Sequence, residues 1–124
     1  MEDLTAFHVA GTGTTSISGF AERRAVTLSL PAGSYVVCGR IHIRNLDSAP
    51  QYVRAFLQVR STLSFLDRLE QFVAQNTEDW PFYLQGVVKL GKTDRIDLIA
   101  STFDGWHRSP SLMALTVDRL VPSV

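Results

Sequence analysis

The residues of this chain with chemically versatile side chains are three histidines, one cysteine and a scatter of serines and carboxylates. His8, His42 and His107 each lack a second histidine or a carboxylate at ligand spacing, whereas a zinc site needs three or four convergent ligands. Cys38 is the only cysteine, which excludes an intrachain disulfide and a multi-cysteine metal cage, and we expect a buried, inert thiol. The sequence therefore predicts no metal centre and no cofactor.

The serines and carboxylates show no catalytic pattern either. No serine lies in a Gly-x-Ser-x-Gly nucleophile elbow. Asp94 and Asp97 lie near a predicted turn, but two carboxylates act as an acid–base pair only within a cleft. A calcium site would need denser oxygen ligands than Asp94, Asp97 and Asp104 provide. We predict that the protein is not an enzyme.

Three basic side chains, Arg40, His42 and Arg44, follow one face of a predicted strand. In one interpretation they pair with carboxylates of a neighbouring strand or subunit, such as Glu78, Asp79 or Asp118. In the other they contact an anion or a partner. No aromatic series accompanies the row, so it does not indicate a nucleic-acid site.

The candidate binding residues lie in a predicted loop from Phe103 to Ser111 that joins two strands. Trp106, His107 and Arg108 stand there, and loop residues on a rigid scaffold often carry recognition. Tryptophan and arginine dominate interface energetics, and tryptophan also stacks on sugar rings. Trp106 could instead fold inward as a lid on the core, and Trp80 has the same two alternatives.

The bulk properties describe an ordinary globular chain. Its 124 residues suit one domain, residues 1–124, in which residues 1–10 form an N-terminal arm or a first strand. Twelve basic and twelve acidic residues cancel, so no global charge draws the protein to nucleic acid or to a membrane. No apolar run reaches the length of about 18 residues of a membrane span. Met1 to Leu4 lack signal-peptide character, so we expect synthesis in a cytoplasm.

The elements that must position these residues are short strands separated by turn residues. The pattern predicts strands over 4–10, 14–18, 25–30, 35–45, 52–60, 82–90, 96–100 and 112–121. Residues 62–76 fit either a helical stripe or a strand, and we predict a strand at about Arg68 to Ala74 because the neighbourhood is all strand. This many strands indicates a sandwich or a barrel.

The predicted strands differ in how many of their faces are apolar. Val26, Leu28 and Leu30 form one apolar face, as a half-buried strand requires. The last strand is apolar on both, with Leu112 and Ala114 on one side and Met113 and Leu115 on the other. A second apolar face needs a cover. That cover is either a sister copy of the chain or a loop or arm of the same chain.

Several short segments carry a resemblance to a known superfamily. Residues 30–35 (LPAGSY), 84–88 (LQGVV) and 101–103 (STF), with the terminal strand, resemble the complement-globular-head and tumour-necrosis-factor-like jelly rolls. Similar stand-alone domains occur in bacteria and their phages. The resemblance implies an all-β, two-sheet antiparallel jelly-roll sandwich that forms trimers and acts in binding or structure.

The resemblance also divides the strands between the two sheets. It places the first strand, residues 35–45, residues 82–90 and the last strand in one sheet, and the strands starting at Ala25, Tyr52 and Arg95 in the other. The outward residues of the first sheet then form the predicted oligomer interface: Val36, Cys38, Tyr83, Val87, Met113, Leu115 and Val117. Those of the second sheet are polar: Thr27, Ser29, Arg54, Gln58, Arg60, Asp97 and Ser101.

These expectations lead to one functional hypothesis and one alternative. The first is a non-enzymatic homotrimer that serves as a phage virion component, a capsid decoration protein or a head-fibre knob, with another virion protein as its partner. In such a trimer, His8 or His42 could repeat about the three-fold axis and bind a metal or an anion. The alternative is a bacterial lectin-like or adhesive module that binds a glycan or a protein through Trp106, His107, Arg108 and Trp80.

Overall fold

The computed structural model describes residues 5–74 and 79–118, and most of these residues are extended. Nine strands lie in these ranges: β1 (Ala6–Ala10), β2 (Thr14–Ser18), β3 (Arg23–Leu30), β4 (Gly33–Asn45), β5 (Gln51–Val59), β6 (Phe65–Val73), β7 (Trp80–Leu90), β8 (Asp94–Thr102) and β9 (Asp104–Val117). Within the described residues, no helix has the length and apolar character needed to cross a membrane.

The strands form two antiparallel sheets. The first sheet has the order β1-β9-β4-β7, and β2 also pairs with β9. The second has the order β3-β8-β5-β6. This is the predicted two-sheet jelly-roll sandwich, and the predicted division of strands between the sheets is confirmed.

The ambiguous stretch at residues 62–76 contains a strand, as predicted. β6 starts at Phe65, three residues before the predicted start at Arg68, and pairs along β5. Tyr52 lies opposite Phe72, and their rings are 4.9 Å apart. Cross-strand pairing therefore overrides the helix-like spacing of apolar residues. It buries Val73 on the inner face and leaves Phe72 exposed on the outer face.

The predicted loop from Phe103 to Ser111 is wrong, because β9 begins at Asp104 and runs through it. Ser109 has a positive φ of 52°, and the register of β9 against β4 shifts between Arg108 and Ser111. Ser109 and Pro110 together lie opposite the single residue Ile41 of β4, so one extra residue of β9 is absorbed in a bulge. Residues that are typical of a turn here bend a long strand instead of ending it.

The core lies between the inner faces of the two sheets. Alternate residues of the strands point into it and are buried, including Val37, Ile41, Leu57, Leu98 and Leu112. Tyr35 is also buried, and its hydroxyl donates a hydrogen bond to the Pro31 carbonyl at 2.8 Å. The inward half of each strand therefore supplies one continuous hydrophobic cluster.

Asp97 lies on the outer face of β8, where the sequence predicts a solvent-exposed side chain, yet it is buried. Its carboxylate accepts hydrogen bonds from Thr27 Oγ1 at 2.6 Å and from Arg60 at 2.7 and 3.0 Å, and Arg24 Nε lies 3.3 Å away. Burial alone would raise the pKa of Asp97, but the bonds from Arg60 and Thr27 and the nearby positive charges hold it below its usual value. Ser101 is likewise buried, and its hydroxyl donates to the Phe20 carbonyl.

Asp97→Asn should destabilise the protein by about 2 kcal/mol at pH 7, because the charged hydrogen bonds from Arg60 and the ion pair with Arg24 weaken. A carboxyl whose folded pKa lies below its unfolded value stabilises the fold above that unfolded value, about 3.9, and loses this contribution as the pH falls. Urea unfolding at fixed protein concentration should therefore show a smaller loss of stability below pH 5 in Asp97→Asn than in the wild type.

Asp118→Asn is the matched control, because Asp118 is an exposed aspartate near the end of β9. Its unfolding curves should follow the wild type at pH 7. The assignment fails if Asp97→Asn loses stability with acid as steeply as the wild type does.

Candidate functional site

The outer face of the first sheet is a regular lattice of side chains that point away from the core. The strand registers align them in rows across β1, β9, β4 and β7. One row contains Ala6, Leu115, Val36 and Val87, and the next contains His8, Met113, Cys38 and Gln85. All seven residues of the predicted interface lie on this face, and we call them the apolar patch: Val36, Cys38, Tyr83, Val87, Met113, Leu115 and Val117.

The apolar patch faces solvent in the single chain. Tyr83 is 67% exposed, Val87 56%, and Met113 and Leu115 39% each, whereas their neighbours Leu112 and Ala114 are fully buried. Cys38, expected to be buried, is half-buried. Soluble monomers rarely leave a contiguous apolar surface open without a use for it. The patch is therefore an apolar surface that the described part of the chain leaves partly open.

A shallow depression borders the patch on its polar side. His8, Arg40, Gln85 and Ser111 line it together with Tyr83 and Met113 of the patch. Asp67 of β6 also lines it and accepts a hydrogen bond from the Gln85 backbone N–H at 3.1 Å. An apolar centre with a polar rim is the usual anatomy of a protein interface. His8 and Arg40 were already candidate anion or partner contacts in the sequence, whereas Gln85, Ser111 and Asp67 were missed.

Trp106 lies on the same outer face, near the other end of β9. The Arg44 and Arg108 guanidinium carbons are 5.8 and 5.5 Å from its ring centre. Arg44 Nη1 is 3.8 Å from Asp79 Oδ1, and Arg108 Nε also contacts Asp79. We call Arg44, Asp79, Trp106 and Arg108 the Trp106 cluster. Trp106 is thus held between cations on the sheet surface rather than folded inward, and Arg44 pairs with one of its predicted carboxylates.

His107 does not belong with the other candidate binding residues. It lies in a strand, so it points to the opposite side from Trp106 and Arg108 and is only 5% exposed. Burial, and then the positive charge of Arg23, lower the pKa of His107, which keeps the imidazole neutral. Its predicted place on a surface loop is therefore corrected to an inward position in β9.

The remaining predicted residues are spread along the outer face. Trp80 starts β7, 39% exposed, next to Asp79 in the chain. His8 is exposed beside Met113, while His42 lies opposite Arg108 with its Nδ1 buried. No group of three or more histidine, cysteine, aspartate or glutamate side chains comes together among the residues that the structure describes.

Comparisons with known proteins identify the fold. No protein-family model matches the sequence, and no curated protein matches it significantly. The structure of Eiger TNF from S. frugiperda superimposes with a TM-score of 0.72 at 13% identity, over 99% of both chains. The structure of infectious bursal disease virus Gx strain gives 0.66 at 11% identity, over 98% of this chain and 35% of that one.

A second virus structure, the infectious bursal disease virus VP2 subviral particle, gives a TM-score of 0.59 at 12% identity. The superposition includes 91% of the present chain and 33% of that virus chain. The protein thus spans about a third of the length of these virus chains and nearly all of Eiger TNF. At these identities the likeness shows the fold, a TNF-like jelly-roll sandwich that also occurs in virus particle proteins.

Gly105 is required for β9 to place Trp106 on the outer face. It lies opposite Ile17 and Asn45, and a Cβ built on it would overlap the Arg44 carbonyl oxygen. Gly105→Ala should therefore destabilise the protein by about 3 kcal/mol, since backbone cannot yield as a flexible side chain does. Thermal unfolding followed by tryptophan fluorescence measures the change.

Gly91→Ala provides the control, because a Cβ at Gly91 meets nothing within 4 Å. Its melting temperature should stay close to that of the wild type. Equal melting temperatures for the two alanine variants would show that β4 and β9 do not approach as closely at Gly105 as described.

Proposed function

We propose that this protein is a non-enzymatic structural module that assembles through the apolar patch into a closed homotrimer and serves as a virion component. A capsid decoration protein and a head-fibre knob are the two forms that fit a small sandwich of this kind. The observation that carries the proposal is the apolar patch on the outer face of the first sheet, opposite a fully formed core.

The energetics of the patch support self-association. Tyr83, Val87, Met113 and Leu115 are together about half exposed, and burying the remainder contributes on the order of 4 kcal/mol per copy. A cyclic arrangement buries the apolar patch of every copy. An open-ended row of copies would leave the patch of a terminal copy exposed. The TNF-like fold supports three as the number of copies in that ring.

The virion role rests on the kind of structure that shares the fold. Virus particle proteins contain a jelly roll onto which almost all of this chain superimposes. A trimer that buries the apolar patch would still present the Trp106 cluster, at the other end of the same face, for attachment to a second virion protein. We propose no nucleic acid and no membrane as partners, because the chain has no net charge to attract either.

Multi-angle light scattering of the purified protein should give three times the chain mass of 13.8 kDa. Met113→Glu or Leu115→Glu should lower that mass or unfold the protein, because an unpaired charge in a dry contact is costly. Circular dichroism on the same samples separates dissociation from unfolding.

Ser29→Glu is the matched control, since it adds the same charge to an exposed position on the second sheet. This variant should keep the wild-type mass. A wild type that remains a single chain at all accessible concentrations would refute the assembly.

A second candidate function is a recognition module, favoured by the position of Trp106 on the surface between two arginines. A glycan array tests it. Saturable glycan binding that is lost in Trp106→Ala would support recognition over a purely architectural role. The virion proposal predicts no such binding, and instead predicts the protein in purified particles and its gene beside portal, capsid or tail genes.

A further inference from the structure

The outer face of the second sheet is not the uniformly polar surface that its sequence predicts. Six aromatic side chains gather there and at its adjoining turn: Phe20, Tyr52, Phe56, Phe65, Phe72 and Phe103. They pack in pairs, with ring centres 5.6 Å apart for Phe20 and Phe103 and 5.4 Å for Phe56 and Phe65. Several of these rings remain about half exposed, which leaves apolar area for a partner.

Two arginines lie over these rings. The Arg54 guanidinium carbon is 5.1 Å from the Phe20 ring centre and 5.4 Å from that of Tyr52. The Arg68 carbon is 4.9 Å from Phe65 and 5.7 Å from Phe56. Contact with two rings restricts the movement of each guanidinium, so less side-chain entropy is lost when it forms hydrogen bonds. Aromatic rings and arginines are also the residues that interface centres favour.

The charges of this face are unbalanced toward the positive. Five arginines stand on it, Arg24, Arg54, Arg60, Arg68 and Arg95, against four acids, Glu22, Glu70, Asp94 and Asp97. Asp97 is shared by Arg24 and Arg60, and Glu70 accepts from Arg54 Nε at 2.6 Å. Arg68 forms no ion pair with any residue in the described ranges. Its guanidinium is therefore oriented but has no carboxylate partner there.

Arg54 and Arg68 flank a depression whose floor includes Phe56 and Ser101, which are 6% and 2% exposed. We propose that this arginine–aromatic surface docks an acidic segment of a protein partner. A partner carboxylate accepts both arms of the Arg68 fork, and apolar partner side chains pack on the exposed rings beside it. Planar guanidinium groups suit carboxylates because two parallel hydrogen bonds form at once.

The same surface disfavours a polynucleotide. Glu22 and Glu70 line the depression and would repel the regularly spaced phosphates of a nucleic acid. A peptide can place its few carboxylates away from them. The surface lies on the sheet opposite the apolar patch, so peptide binding does not depend on the proposed trimer. In a trimer, three copies of the surface would add avidity.

Fluorescence anisotropy with a labelled octapeptide that carries two adjacent glutamates among leucines tests the proposal on the full chain. The wild type should bind this probe more tightly than its glutamine–leucine counterpart. Arg68→Gln should weaken binding about tenfold, which matches the loss of a charged hydrogen-bond pair. Arg68→Lys should also weaken it, because the charge remains but the fork is lost.

Arg95→Gln removes the same charge from the same face, away from the depression, and should change the affinity less than twofold. Thermal melts of all three variants establish that they fold. Equal binding of the two peptides, no binding at millimolar protein, or an unchanged affinity in Arg68→Gln would each overturn the proposal. Tighter binding of a labelled ten-nucleotide single-stranded DNA would overturn it in favour of nucleic acid.

Discussion

The two-sided character of β4 and β9, at the centre of the first sheet, is the constraint on which the rest of the structure depends. Each of these strands is hydrogen-bonded to neighbours on both edges, so its side chains point either into the core or away from it. On the inner side they close the core through Val37, Ile41 and Leu112. On the outer side Val36, Met113 and Leu115 are apolar as well. The facing sheet covers only the inner of these faces, and the outer one stays partly open to solvent in the single chain.

Distance along the strands keeps two different surfaces apart on that outer face. Val36 and Arg44 are both outward on β4 and are separated by about 26 Å at 3.3 Å per residue. The apolar patch therefore occupies one half of the sheet and the Trp106 cluster the other. An assembly that buries the apolar patch would leave the Trp106 cluster exposed to solvent. Within that cluster, Asp79 neutralises part of the charge of Arg44 and Arg108.

The two-residue alternation was sufficient to predict the strands and their apolar faces, and the resemblance to the TNF-like jelly rolls implied the two sheets and hence the apolar patch. The sequence was insufficient where long-range register decides. Gly105, Ser109 and Pro110 are typical of a loop, and only the pairing of β9 with β4 converts them into a strand with a bulge. That conversion also turned His107 inward. The arginine–aromatic surface escaped prediction for the same reason, since pairing β5 with β6 places Arg68 beside Phe56.

The reactivity of Cys38 tests the shielding of the apolar patch most directly. This thiol is half-buried on the outer face, one row from Leu115, and is the only one in the chain. The rate of its alkylation by N-ethylmaleimide should fall as the protein concentration rises, and should stay high in Met113→Glu at every concentration. A wild-type rate that is independent of concentration and equal to that of the variant would contradict the account.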